Sequence, residues 1–161
     1  EEYQWAGPYM HSRQLVVVHK DSDIFTLQDL QGKEIGVQAT TKPEEILIHH
    51  EEYGLPEVRK IYSFSNVNEI YGAMRKGYLD GICGHESAMR SFIDTNPDAF
   101  RSLEENIYSS DLGVAFSKTY DSTFVKSLDK ELNSLKQDGT IRKIVEKYGL
   151  DAEYALGGID D

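Results

Sequence analysis

Residues 34–45 read EIGVQATTKPEE. The first five, EIGVQ, form a short apolar run and read as a strand. The rest is a helix start. Thr41 and Glu44 have the spacing of a capping box, in which the threonine oxygen takes the Glu44 backbone N–H and the glutamate reaches back. Pro43 suits a first helical turn, where no backbone donor is needed. A strand that turns directly into a helix is the repeating unit of a parallel sheet with helices on its faces.

The same grammar continues on both sides. Upstream, QLVVV at residues 14–18 is a β-branched run and predicts a strand. Residues 26–30 make a short helical turn that Gly32 stops. Downstream, the helix opened by Thr41 runs through Ile46, Leu47 and Ile48 to Gly54. A third strand lies near residues 58–62. Asn66 then caps a helix with Glu69 three residues on, Val67, Ile70, Ala73 and Met74 share one face, and Gly77 closes it. Residues 79–83, LDGIC, predict a fourth strand, and residues 87–93 a further helix that ends before Pro97.

Alternating strands and helices predict an α/β fold with a mostly parallel sheet. In such sheets ligands sit outside the carboxyl ends of the strands. QATT at residues 38–41 and GHE at residues 84–86 both fall at strand carboxyl ends, each directly before a helix. Two separate loops therefore point at one crevice. After residues 112–116, LGVAF, the pattern becomes helical: Phe124, Leu128, Leu132 and Leu135 recur at helical spacing, Gly139 interrupts, and a last helix spans about residues 140–148.

Composition excludes some partners. The 161 residues carry 17 lysines and arginines against 28 acidic residues, a net charge of −11. Phosphate backbones need a positive face, so nucleic acid is disfavoured, and no basic stripe offers itself to an anionic membrane. One cysteine, Cys83, sits in an apolar run and behaves as a small hydrophobe. No run approaches the roughly 18 apolar residues of a membrane helix. The chain opens on Glu1 without a methionine or a signal peptide, and reads as a mature or excised piece of something longer.

Other polar clusters read as surface. His49 and Glu52 are three apart on a helix, but no HExxH pattern or cysteine pair completes a metal site. Asp21 and Asp23 fit turn chemistry better than a calcium loop, since no glutamate follows at the twelfth loop position. No metal and no cofactor is expected.

Five motifs in order resemble the amino-acid-type solute-binding proteins, the receptors of ABC importers and related sensor domains. WAGPY at residues 5–9 resembles their crossover segment, and LQDLQGKEIGV at residues 27–37 the signature that opens their second lobe. GYLDG at residues 77–81 is similar to the lead into their site strand. LGVAFSK at residues 112–118 resembles the return crossover, and LKQDGT at residues 135–140 with residues 144–148 the closing helices.

The resemblance implies a periplasmic-binding-protein-like lobe whose first-lobe partner is largely missing. Residues 1–12 would be the crossover from the first lobe, residues 13–110 the second lobe, and residues 111–161 the return crossover and C-terminal helices of the first. The opening strands and helices of that lobe would precede Glu1. Phe124, Leu128 and Leu132 would then lack the surface they pack on, so the helices fold back or the fragment self-associates. Trp5 and Tyr9 are expected to pack.

The resemblance also implies the site. Such lobes grip a ligand carboxylate with a Gly-Ser/Thr-Thr loop at a helix start, where free N–H groups favour an anion. Here Gln38, Thr40, Thr41 and Lys42 occupy that loop, with Thr40 where the family has glycine. Thr41 serves equally as a plain helix cap. The family's aspartate for the ligand ammonium falls on His85, with Glu86 one residue late. The pair serves equally as a polar helix start. The implied function is non-enzymatic binding of a small polar solute, an amino acid or related compound, between two lobes that close on it. The implied location is extracytoplasmic: periplasmic or cell-surface, with membrane tethering possible. Partners are ABC transporter membrane subunits or membrane signalling modules in the same chain. The alternatives are a dehydratase-like enzyme with His85 and Glu86 as acid and base, and a degenerate, non-binding signalling or interaction domain.

Overall fold

A computed structural model describes residues 2–157. The chain divides into two compact units, Arg13–Tyr108 on the one hand and Glu1–Ser12 with Ser109–Asp161 on the other.

Arg13–Tyr108 is built on a sheet. In chain order the elements are β1 (Tyr3–His19), β2 (Glu34–Gln38), α1 (Lys42–Ile48), β3 (Lys60–Phe64), α2 (Val67–Arg75), β4 (Gly81–His85), α3 (Glu86–Thr95) and β5 (Phe100–Ser102). The strands lie in the order β3-β2-β4-β1-β5. β2 runs parallel to β3 and to β4, whereas β1 runs antiparallel to β4 and β5. Only β1 opposes the others, so the sheet is mostly parallel in direction and the fold is α/β.

Both faces of this sheet are covered, which explains the unbroken apolar run of β1. Successive strand side chains point to opposite faces. Val16 and Val18 join one buried cluster with Ile35, Val37, Cys83 and the α1 residues Ile46 and Leu47. Leu15 and Val17 join the other with Ile82, with Ile70 and Met74 of α2, and with Met89 and Phe92 of α3. Phe92 stacks on Tyr71 at 4.6 Å and packs on Phe100 at 4.6 Å. A fully buried side chain of this size stabilises by about 1.5–3 kcal/mol. Gly36 is what lets the layers close: a Cβ there would lie 2.6 Å from Leu79 Cδ1.

Several local expectations shift. The fourth strand is Gly81–His85, two residues later than read. Asp80 is fastened outside the ladder, its Oδ2 accepting from Glu34 N–H at 2.7 Å, and pairing with β1 begins at Gly81 and ends on His85 opposite Gln14. The helix expected to reach Gly54 stops at Ile48. His49, with φ −101° and ψ 36°, leaves the helical region, and a separate 3-10 turn, His50–Tyr53, leads to Gly54 at φ +66°. Asn66 does cap α2, its side chain accepting from Asn68 N–H at 2.8 Å. β5 has three residues and no periodicity to read, so it was not foreseen.

The other unit contains β6 (Tyr108–Ser117), which pairs with β1, and α4 (Ser122–Gln137), α5 (Thr140–Lys147) and α6 (Ala152–Leu156). Its one cluster of buried residues among those described is Ile141, Val145, Ala152, Ala155 and Leu156, with Tyr9 packed against it. α6 is too short to show a period in sequence. Trp5 does not pack as expected: it is 62% exposed. Of the expected α4 stripe, Phe124 and Leu135 are exposed, Leu128 and Leu132 half-buried, and the buried residue is Val125. Among the described residues no helix is long and apolar enough to cross a membrane.

Candidate functional site

The parallel order of β2 and β4 brings their carboxyl ends side by side, and antiparallel β1 adds Gln14 at the same edge. A cavity of about 180 Å³ opens there, within Arg13–Tyr108. The loop from β2 into α1 supplies Gln38, Thr41, Lys42 and Pro43, and β4 supplies Cys83, Gly84 and His85. Val67 and Ile70 of α2 and Ala88 and Met89 of α3 give it an apolar wall. Complete small-molecule sites measure about 300–1,000 Å³, so this cavity has the size of part of one.

Of the residues singled out in sequence, Gln38, Thr41, Lys42 and His85 line this cavity; Thr40 and Glu86 are not among its lining. The loop after β2 is built differently from a simple capping box. Thr40 takes φ 60°, the left-handed region that favours glycine. The turn brings the Thr40 N–H, rather than that of Thr41, to Glu44 Oε2 at 2.6 Å. Thr41 Oγ1 donates back to the Gln38 carbonyl at 2.6 Å instead of accepting from the helix. Glu44 Oε1 also accepts from the Ser63 hydroxyl. These bonds from Ser63 and Thr40 hold the Glu44 carboxyl below its ordinary range.

Lys42 is already engaged. Its Nζ lies 2.6 Å from Glu45 Oε1 and 2.8 Å from Tyr53 Oη. It also stands over the Tyr53 and Tyr108 rings at 5.3 and 5.2 Å. The Glu45 bond, then the Tyr53 bond, raises the Lys42 pKa and keeps the ammonium charged.

His85 and Glu86 part company at the end of β4. His85 caps α3: its Nδ1 accepts from Ser87 N–H at 3.3 Å and faces Ser87 Oγ at 2.9 Å. An Nδ1 that accepts leaves the ring proton on Nε2. Glu86 opens the helix and is buried at 3% exposure. Its Oε1 accepts from Arg13 Nη2 at 2.7 Å and from Arg90 Nε at 2.6 Å. Burial pushes the Glu86 carboxyl up, but the hydrogen bonds and charges of Arg13 and Arg90 together outweigh it and hold the carboxyl below its ordinary value. The pairing of Glu86 with Arg90 was readable as an i, i+4 spacing. Arg13 was not, because only the register of β1 on β4 sets it beside Glu86.

Cys83 is buried, and desolvation pushes its thiol up to about 12, so it contributes surface rather than a nucleophile. His49 and Glu52 stand exposed, 3.7 Å apart. Asp23 pairs with Lys33 at 2.9 Å, and Ser22 Oγ accepts from Ile24 N–H at 3.2 Å, which is the turn chemistry read from sequence. Among the described residues no three histidine, cysteine or acidic side chains gather into a metal set.

Residues 1–151 match the family model described as bacterial extracellular solute-binding proteins, family 3. The chain is 26% identical over 153 residues to ABC transporter arginine-binding protein 1 of Escherichia coli K12, covering 92% of this chain and 60% of that protein. It is 26% identical over 150 residues to the L-cystine-binding protein TcyJ of the same organism, covering 92% of this chain and 54% of that one. A solved structure of an ancestral arginine-binding protein bound to glutamine superposes with a TM-score of 0.67 at 28% identity, covering 91% of this chain and 63% of that chain. The chain thus spans little more than half the length of the curated relatives it matches.

Proposed function

Because the chain belongs to the family 3 bacterial extracellular solute-binding proteins, we propose that it grips a small polar solute, an amino acid or a related compound, in the cavity at the carboxyl ends of β2 and β4. The observation that carries this reading is the meeting of two sequence-distant loops. Gln38, Thr41 and Lys42 come from one, Gly84 and His85 from the other, and both face one apolar-walled cavity. Members of the family are receptors rather than enzymes, and the residues agree. Glu86, the acid/base candidate beside His85, is buried and held ionised by two arginines, which leaves it unable to exchange protons near neutral pH.

In the proposed mechanism Arg13–Tyr108 is one of two jaws, and solute contacts to both drive closure. Names such as arginine-binding and L-cystine-binding, borne by its relatives, support an amino-acid-like solute. They also support membrane subunits of an ABC importer as the receiving partner; a signalling module in the same chain is the other arrangement the family resemblance allows. The family is extracellular or periplasmic, and tethering to a membrane belongs to the proposal. The exposed Trp5, Tyr120 and Phe124 support self-association of this chain. Sedimentation that gives a monomer at every concentration overturns that part.

The decisive experiment is calorimetry with a panel of amino acids and their derivatives, read beside amide shifts of Gln14, Gln38 and His85. The expected result is binding weaker than about 1 μM, since a single jaw supplies only part of the contacts. Shifts should be confined to the cavity and lost in Met89→Trp, which fills it. A panel that moves none of these resonances overturns the reading.

A further inference from the structure

The cavity at the carboxyl ends of β2 and β4 has an apolar interior wall that is continuous with the core. Ile70 and Met89, each 1% exposed, belong to the buried cluster that includes α2 and α3. Cys83, 2% exposed, belongs to the cluster on the other face of the sheet. Val67 and Ala88, both half-buried, extend the wall. Gly84 leaves room beside Met89, because a Cβ there would lie 2.8 Å from Met89 Cε. The polar lining is more open to solvent: Gln38 is exposed, and Gln14 and Thr41 are half-buried.

The two parts of the lining suit different ends of a solute. The amides of Gln14 and Gln38 both donate and accept hydrogen bonds, which fits the polar end of an amino acid. Two further polar groups of the lining are already engaged. Thr41 Oγ1 donates to the Gln38 backbone carbonyl at 2.6 Å, and Lys42 Nζ donates to Glu45 Oε1 at 2.6 Å and Tyr53 Oη at 2.8 Å. A hydroxyl or amide pressed against Val67, Ile70 and Met89 loses its water without gaining a partner. An alkyl or aryl group in the same place is stabilised as a core side chain is. The size agrees: an apolar cavity of about 150 Å³ takes a benzene ring, and this one measures about 180 Å³.

We infer that the cavity seats the side chain of the solute, and that this side chain is apolar and between butyl and phenyl in size. Among amino acids the chain then selects aliphatic and aromatic ones over polar ones of equal length. The inference rests on the cavity being the ligand site, and it names the class of solute that the site takes. Ala88 is the residue through which size is best tested. It lines the cavity from α3 without filling it, and leucine is as well suited to a helix as alanine to within a few tenths of a kcal/mol. Ala88→Leu therefore fills the cavity and keeps the helix.

The test is calorimetry on the full chain with alanine, 2-aminobutyrate, norvaline and norleucine, and with leucine against its polar counterpart asparagine. Side-chain amide shifts of Gln14 and Gln38 report whether each compound occupies the cavity. Binding should tighten about fourfold for each methylene added, and leucine should bind at least about tenfold tighter than asparagine. Ala88→Leu should cut the norleucine-to-alanine affinity ratio by at least about tenfold. A thermal midpoint near the parental one establishes that this variant is folded. A variant that fails this is replaced by Gly84→Ala, whose Cβ competes with the Met89 methyl for space and which carries the same expectation. A series of equal affinities, or asparagine as tight as leucine, with the Gln14 and Gln38 amides shifting, overturns the inference and leaves the site reading intact. A folded variant that keeps the parental ratio overturns it too, since the side chain then sits elsewhere. If no compound moves the Gln14 and Gln38 amides, the site reading falls and the inference with it.

Discussion

The unit Arg13–Tyr108 uses its apolar residues on both faces of a sheet, and the neighbouring β1 side chains Val16 and Val17 enter opposite clusters. The unit of residues 1–12 and 109–157 has, among its described residues, one cluster of five buried side chains. It leaves Trp5 62% exposed and Phe124 48% exposed. The same contrast holds for ionic groups. Glu86 is buried between two arginines, whereas Asp111, which meets His11 at 2.6 Å, keeps 66% of its side chain in solvent. Arg13–Tyr108 thus pairs its buried carboxylate internally. The other unit keeps part of its aromatic surface half-exposed, with Phe116, Tyr120 and Phe124 packed on one another.

Core truncation should expose the contrast most strongly. Phe92→Ala removes a fully buried ring of Arg13–Tyr108 and is expected to cost about 3–5 kcal/mol. Phe124→Ala, which removes a half-exposed ring edge-on to Phe116 and Tyr120, should cost no more than about 1.5 kcal/mol. Urea unfolding of the two variants measures the difference, and similar losses would break the comparison.

Next in size is the ionic pair. Glu86→Gln leaves two guanidinium groups without their carboxylate, and the expected cost is about 3 kcal/mol, the low end for a broken buried pair because Arg90 reaches solvent. Asp111→Asn should cost no more than about 1 kcal/mol. The pH dependence follows from the same group. The carboxyl of Glu86 is depressed in the folded state, so the unfolded chain binds the proton more tightly and stability rises with pH across this window. The contribution of Glu86 should be complete above the ordinary glutamate value of 4.5 and fade as the pH falls below it toward the lower folded value. Unfolding midpoints measured downward from pH 5 should drop less steeply in Glu86→Gln than in the parent. Parallel curves would refute the assignment.

The smallest effect belongs to the loop after β2. Thr40→Gly relieves a left-handed backbone worth roughly 1–2 kcal/mol, offset by the greater freedom that glycine gives the unfolded chain, about 0.4–1 kcal/mol. A net gain of about 0.5 kcal/mol is expected in thermal unfolding. A loss would show that the Thr40 hydroxyl, which donates to the Ala39 carbonyl at 2.6 Å, matters more than the strain.

The sheet was legible because its signals are local. The β-branched run at Val16, the Asn66 cap and the Ile70–Met74 face each fit within a few residues, and their alternation implies the layers. The convergence of the two loops at one edge was legible for the same reason, since strand direction fixes which ends share an edge. What the sequence did not reveal was non-local. Gln14 joins the cavity because β1 runs antiparallel to β4, and Arg13 reaches Glu86 through that same register. The hydrogen-bond exchange around Thr40 depends on a backbone angle that residue identity argues against. Trp5 was expected to pack from its place in the crossover motif; its ring meets Tyr3 edge-on at 6.4 Å but stays 62% exposed.

Cys83 carries one more consequence. It is the single thiol of the chain, 2% exposed, and lines the cavity. With a thiol pushed up to about 12, it cannot be attacked by a reagent until the sheet parts and the group ionises in water. Its labelling rate is therefore a clock for how often this layer opens. A solute that occupies the cavity should slow that clock by the factor 1 + [solute]/Kd, giving an affinity readout from the chain's own thiol.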